Sequence, residues 1–347
     1  MKIKDDGFYK SVRNFLKVYL PKQCAASENT IKSYRITLNQ YTDYLIDEKH
    51  IPVLQITLDD LNYENVSGYL NWLQETKKYK SSTRNQKLMA LRSFANYCSV
   101  LGIENVSLRL EVCKVPIQNV PGKKIEFMSK NELELILSIP NMKSYYGLRN
   151  GFFMLLLYDT AARCQEMLDL KLGDFSISKK PNASYVTLTG KGDKTRPVPL
   201  MDKTVEHYNR YIKFFHPEST RHPEDNLFYT VIHQKRCPMS PDTVDYFMRN
   251  YARAARKENP SFPPIHPHMF RHTRAIHLYR SGMPISVLSE ILGHENVETT
   301  KVYAYANTEM KAEAISKATD TDIIPNVKAQ LWTGDREKIK RLYGLKD

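Results

Sequence analysis

Cysteine is sparse: five residues, at 24, 98, 113, 164 and 237, form no C-x-x-C pair. An odd number at wide spacing fits reduced cytoplasmic thiols rather than a disulfide framework. No run of roughly eighteen apolar residues occurs, so nothing in the sequence is suited to span a membrane. The opening MKIKDDGFYK lacks the apolar core of a signal peptide. No GxxxxGK(S/T) loop is present to cradle a nucleotide phosphate. Acids are outnumbered, 38 Asp and Glu against 51 Lys and Arg, for a formal charge of +13. That surplus favours an anionic partner, although a merely basic soluble protein has the same composition. At 347 residues the chain has room for two domains with cores of their own.

The stretch that the rest of the chain serves reads HMFRHTRAIHLYRSGMPISVLSEILGHENVETTKVY, from His268 to Tyr303. His268 and Arg271 are three apart and share a helix face. Gly282 and Pro284 end that helix. Ile285 to Leu292 is apolar at 285, 287, 288, 291 and 292, a short amphipathic helix. Gly293 closes it, and His294 sits just past its end. Thr299 and Thr300 are placed to cap a last helix that carries Tyr303. His268, Arg271, His294 and Tyr303 can therefore share one phosphate. Arginine binds phosphate oxygens two at a time and keeps its charge. A tyrosine hydroxyl, with a pKa of about 10, needs a base or cationic surroundings to act as a nucleophile. Its attack on a phosphodiester gives a covalent phosphotyrosine. The bond energy is kept, so a strand can be rejoined without ATP.

H-x-x-R, then L-G-H, then T-T-x-x-Y resembles the carboxy-terminal signature of the tyrosine recombinases, or phage-type integrases. DTAARCQEMLDLKLGDF resembles that family's first-arginine box, with Arg163 as the arginine. TLTGKGDKTRPVPL resembles the β-hairpin that carries the family's lysine, with Lys191 in that position. The resemblance and the chemistry together imply the roles. Arg163 and Arg271 bind the scissile phosphate and stabilise its pentacoordinate transition state. His268 helps remove the Tyr303 proton or holds the phosphate. His294 donates to a non-bridging oxygen, and Lys191 protonates the 5′ leaving oxygen. Tyr303 becomes joined to the 3′ phosphate, and Glu166 orients Arg163 from behind. Neither metal nor nucleotide cofactor is required. Four protomers on two DNA sites would exchange strands in pairs. Two details depart from the family. It usually has Thr-Gly where this chain has Thr160-Ala161-Ala162-Arg163, which bears on loop geometry. It often has histidine where this chain has Tyr305. Residues two apart on a helix point nearly opposite ways, so only one tyrosine can face the arginines, and Tyr303 fits T-T-x-x-Y.

Residues 8 to 102 read as helices only. One follows Ser27 and Thr30, with Ile31, Tyr34, Leu38, Tyr41 and Leu45 inward. A second runs from Thr57 to Thr76. A third is capped by Ser81 or Ser82, buries Leu88, Leu91, Phe94, Ala95 and Cys98, and ends at Gly102. The outer faces are basic. Lys80, Arg84 and Lys87 are candidate contacts to backbone phosphates, or a plain solvated face. This third resembles the family's core-binding domain. From Glu104 to Ile125 periodicity fades around Pro116, Pro121 and Gly122, as in a hinge or an ordinary surface loop. Ser129 to Glu132 is a capping box, and GFFMLLLYDTAA is a buried helix ahead of Arg163. Tyr185 to Thr189 alternates like a strand and Arg196 to Leu200 returns. Lys194 and Arg196 are candidate phosphate contacts. His266, His268, His272 and His277 raise a metal site, since 268 and 272 have zinc-helix spacing. The glutamate of H-E-x-x-H is missing and arginines intervene, which favours phosphate.

The expected architecture is mostly α with a small β-sheet. Residues 1–103 form a helical DNA-clamping domain, 104–125 a linker and 126–310 an α+β catalytic domain. Residues 311–347 form a tail, with helices at Glu309–Lys317 and Asp335–Tyr343, that docks on a neighbouring protomer. The expected partners are double-stranded DNA and a homo-tetramer, without a membrane, in the cytoplasm at the nucleoid. No arm-binding segment precedes the first helices, which leans towards short inverted repeats as the site. The rivals are a DNA-binding protein on this scaffold that no longer cuts, and a type IB topoisomerase.

Overall fold

The computed structural model describes residues 7–102, 105–120, 125–190, 192–305 and 336–345. The chain divides into two compact units between residues 123 and 124.

The first unit is helical. Helix α1 (Gly7–Asn14) runs into a π-helical stretch, Phe15–Gln23. Then come α2 (Glu28–Asp47), α3 (Tyr63–Glu75), α4 (Ser81–Leu101) and α5 (Val106–Lys114). Ser27 caps α2 by accepting from the Thr30 amide. Helix α3 starts six residues later than the Thr57 expected from the pattern. The Asp60 carboxylate takes the Thr57 amide at 2.8 Å, which closes a separate 3₁₀ turn. Asn62 then caps the helix through the Asn65 amide. Local side-chain bonds of this kind compete with helix propagation. The core is aromatic, with Tyr41, Tyr69, Phe15 and Phe94 fully buried.

Helix α5 lies within the expected linker. V-S-L-R-L-E-V alternates like a strand, yet Leu108 and Val112 bury one helical face while Leu110 stays exposed. Burial of an i, i+4 pair against α4 and α3 overrides the alternation. The three candidate DNA contacts differ in exposure. Lys80 is exposed at the start of α4, but Arg84 and Lys87 are buried. Arg84 lies one turn before Leu88 on the inward face, and its Nη1 donates to the Pro116 carbonyl at 3.1 Å. Helical periodicity therefore puts it on the apolar side of α4 rather than the basic side.

The second unit opens with α6 (Lys130–Ser138), α7 (Tyr145–Thr160) and α8 (Cys164–Leu168). Strands β1 (Phe175–Ser176), β2 (Tyr185–Thr189) and β3 (Thr195–Pro199) follow, then α9 (Asp202–Phe215). Next are β4 (Tyr229–Ile232), β5 (Lys235–Pro238), α10 (Pro241–Glu258), α11 (Pro267–Arg280), α12 (Ile285–Leu292) and α13 (Glu298–Tyr305). The Ser129–Glu132 capping box opens α6 as the sequence predicts. Helix α7 is apolar nearly all round, so it becomes the centre of the core. Phe152 and Phe153 are fully buried among α9, α10 and the segment before β4. Truncating either to alanine would cost about 3–5 kcal/mol. The one acid near its end, Asp159, accepts from the Met201 amide at 3.0 Å and from Arg274 at 3.1 Å. This ties the end of α7 to α11.

Strands β1, β2 and β3 form an antiparallel sheet in that order, with Leu188 opposite Arg196. Val186, Leu188 and Val198 point into the core, so the alternation read from the sequence is the inward face. Lys191, in the β2–β3 turn, lies outside the described residues, as does the helix expected at Glu309–Lys317. Near the carboxy terminus, α14 (Arg336–Leu342) leaves Leu342 and Tyr343 exposed. Among the described residues, no helix is long and apolar enough to cross a membrane.

Candidate active site

The site forms where two helices end. Helix α7 stops at Ala161, which adopts the left-handed conformation (φ 50°, ψ 29°). Helix α12 stops at Gly293, which does the same (φ 61°, ψ 46°). Such ends leave backbone carbonyls without helical partners. Here arginines occupy them. Arg271 donates to the Ala161 carbonyl at 2.8 Å and to the Leu292 carbonyl at 2.6 Å. Arg163 donates to the Gly293 carbonyl at 3.2 Å. The carbonyl ends of a helix carry partial negative charge and hold cations in place without neutralising them.

Glu166 supports the cluster from behind. It sits at the third position of α8, and its carboxylate accepts from the Arg163 amide at 2.9 Å and the Arg163 guanidinium at 2.7 Å. The same carboxylate takes Arg196 in a two-pronged pair at 2.6 and 3.2 Å. Burial raises the Glu166 pKa, but the bonds from Arg196 and Arg163 outweigh it, so the carboxyl ends below its ordinary value. Arg196 also donates to the Ile291 carbonyl at 2.9 Å. Arg196, expected from the sequence as a phosphate contact, has its guanidinium bonded to Glu166 and to the end of α12. A Cβ on Gly293 would lie 2.7 Å from that guanidinium. The glycine of L-G-H therefore serves both a left-handed turn and a close approach. Lys194 differs: it is exposed and pairs with exposed Glu295 at 2.6 Å.

Helix α11 presents His268, Arg271 and His272 at i, i+3 and i+4. Arg271 is 3% exposed. Burial, then neighbouring Arg163, bring its pKa down to about 10, so it stays charged at neutral pH. His294 Nδ1 lies 2.9 Å from Thr300 Oγ1. Thr300 thus holds His294 instead of capping α13, and Asn296 takes the Glu298 amide. Burial and then Arg271, Arg163 and Arg196 bring His294 to about 4. Desolvation and Arg271 also lower His268.

Tyr303 is buried in an apolar cluster with Ala161, Ala275, Ile276, Leu288 and Leu292. Its hydroxyl lies 2.9 Å from His272 Nδ1. Burial raises the phenol pKa, and Arg271 and Arg163 pull against that rise. The structure brings Arg163, Arg271, Glu166, His294 and Tyr303 into one cluster around the two helix ends. His268 stacks on His272 at 6.3 Å between ring centroids, and it is His272 that meets the Tyr303 hydroxyl. Of the four histidines of the metal question, His266, His268 and His272 stand in a row with ring centroids 6.5 and 6.3 Å apart, and His277 lies 3.0 Å from the Tyr158 hydroxyl. The sequence raised His272 only for a metal site and gave it no part in the tyrosine chemistry. Its signal was its place beside Arg271 and one turn from His268.

A buried Arg271 bonded to backbone carbonyls and not to a carboxylate, with Arg163 held beside it by Glu166 and a tyrosine close by, suits an enzyme that binds a phosphodiester and attacks it. Comparison with known proteins agrees. Residues 126–310 match the phage integrase family, and residues 13–99 match the phage integrase N-terminal SAM-like domain. A tyrosine recombinase of Pseudothermotoga lettingae is 30% identical over 308 residues, covering 86% of this chain and 95% of that protein. Among solved structures, the XerH site-specific recombinase bound to palindromic difH substrate has a TM-score of 0.63 at 19% identity. The match covers 90% of this chain and 89% of that one. A lambda integrase tetramer bound to a Holliday junction has a TM-score of 0.61 at 15% identity, over 85% of this chain and 76% of that one. These two likenesses concern the fold. The chain belongs to the phage integrase family. It is a tyrosine recombinase, a DNA-binding enzyme of site-specific recombination that cleaves and rejoins strands through a tyrosine.

Proposed function

We propose that Tyr303 is the nucleophile and that it forms a 3′-phosphotyrosyl bond at the recombination site. The observation that carries this is the placement of its hydroxyl among Arg271, Arg163 and the α11 histidines. The arginines grip the scissile phosphate and offset the charge of the pentacoordinate transition state. Glu166 fixes Arg163. His268, in the first turn of α11, and His294, held by Thr300, bond to non-bridging oxygens. Lys191 protonates the 5′ leaving oxygen. The first unit, including Lys80, clamps the duplex through its phosphates, and residues around 123 join it to the catalytic unit. Lys194 reaches a phosphate once it leaves Glu295, since an exposed pair costs little to part. Four copies act on two sites of short inverted repeats, which the palindromic substrate of XerH and the tetramer of lambda integrase support by likeness of fold. Residues 311–347 dock between protomers. The site is chromosomal or carried by a mobile element, at the nucleoid.

A nicked suicide substrate tests the nucleophile. The wild type should trap a covalent adduct on a denaturing gel, and Tyr303→Phe should bind the same DNA without forming one. An adduct that persists in Tyr303→Phe, or is lost in Tyr305→Phe alone, refutes the assignment.

A further inference from the structure

We infer that His272 is the catalytic base for Tyr303: its Nδ1 takes the hydroxyl proton as the tyrosine attacks. This rests on Tyr303 being the nucleophile. The two groups are already in contact at 2.9 Å, within the distance that general-base catalysis needs. His268, the histidine of H-x-x-R, makes no such contact, and the ring of His272 stands between α11 and α13 with its centroid 5.7 Å from that of Tyr303.

The surroundings keep this base free. His266, His268 and Arg271 face it from α11, Tyr303 from α13, and His294 from the link between α12 and α13. None is an acid. Burial, then His268, His266 and Arg271, bring His272 down to about 4, so it is neutral at neutral pH. In the tautomer with the proton on Nε2, Nδ1 offers a lone pair to the phenol. A buried phenol with a raised pKa cannot ionise unaided near neutrality. Arrival of a DNA phosphate adds negative charge beside the imidazole and raises its basicity.

The step balances. The Oη–P bond forms as the Oη proton moves to Nδ1. The bond from phosphorus to the 5′ oxygen breaks, and that oxygen takes a proton from the acid assigned to Lys191. On rejoining, the 5′ hydroxyl gives its proton back to that acid as it attacks phosphorus, Oη leaves, and Nδ1 returns the proton to it. Imidazolium at Nδ1 would be transient, with burial and Arg271 disfavouring it, so the transfer is concerted with attack.

The test is single-turnover cleavage of the nicked substrate from about pH 6 to about pH 9, where a neutral base leaves the wild-type rate nearly flat. His272→Ala should fall on the order of 10²–10⁴-fold at neutral pH and then rise about tenfold per pH unit, as the phenol ionises alone. Added imidazole should restore part of the rate. His272→Asn keeps a side chain that can bond the hydroxyl but has no basicity. It should bind DNA like the wild type and show the same steep profile, which separates loss of the base from loss of fold. His268→Ala should lower the rate without changing the shape of its profile. A His272→Asn profile parallel to the wild type, or a steep profile in His268→Ala instead, overturns the inference. An adduct in Tyr303→Phe would overturn the nucleophile assignment, whatever the His272 variants do.

Discussion

Replacing Glu166 by glutamine should weaken the catalytic unit far more than one surface charge would. The carboxylate is 5% exposed and accepts four hydrogen bonds, two from Arg163 and two from Arg196. Glutamine keeps one acceptor oxygen and turns an NH₂ group towards donors. Breaking a buried ion pair by removing one charge costs about 3–5 kcal/mol, because the partner charge is left uncompensated. Retention of one oxygen puts the expectation near the lower end, about 3 kcal/mol. For a domain of this size each kcal/mol is about 2–4 °C, so the catalytic transition should fall by about 6–12 °C in calorimetry of the full chain. The exposed pair of Lys194 and Glu295 is the internal control: Lys194→Ala should leave that transition unchanged. The effect should also depend on pH. The folded pKa of Glu166 is depressed, so its contribution is fully present above the unfolded value. It is lost as pH falls below about 4.5 and through the lower folded value. The wild-type advantage over Glu166→Gln should therefore shrink in acid. A drop of less than about 2 °C at neutral pH, or an advantage that does not shrink, would refute the view that this carboxylate holds the two arginines.

Two further outcomes are expected. Gly293→Ala should destabilise the catalytic unit clearly more than Gly282→Ala, read as the difference in melting temperature. Both glycines have positive φ, but only Gly293 would drive a Cβ into Arg196, while nothing lies within 4 Å at Gly282. Equal effects would show that Arg196 moves aside freely. Lys191→Ala should slow strand cleavage and be rescued by a 5′-phosphorothiolate at the cut, because that leaving group departs without a proton. Equal defects on both substrates would remove Lys191 from the acid role.

Most of the local structure was legible in the order of residues. The apolar period of GFFMLLLYDTAA, the Ser129–Glu132 capping box, the β2–β3 alternation and Gly293 after α12 are short-range signals, and each formed where its pattern stood. The Arg163, Arg271 and Tyr303 motifs were equally visible, since a charged or nucleophilic side chain announces itself wherever it lies. Apart from Glu166 behind Arg163, partners were not visible. Arg196 and Lys194 are two apart on one hairpin and chemically alike in sequence. Arg196 lies in β3 and meets Glu166 and the end of α12, whereas Lys194 precedes the strand and stays in solvent. Arg84 looked like part of a basic face until α4 met the segment at Pro116. His272 and His268 share a helix face, and the position of α13 decides which one meets the Tyr303 hydroxyl. Helix α5 owes its existence to packing against α3 and α4, against its own strand-like alternation. The sequence by itself determined which chemical groups the site has and, α5 apart, most of the helices and strands around it, because those depend on neighbours a few residues away. Only the tertiary structure decided which carbonyl, carboxylate or hydroxyl each group meets, because those contacts join residues as much as 130 positions apart.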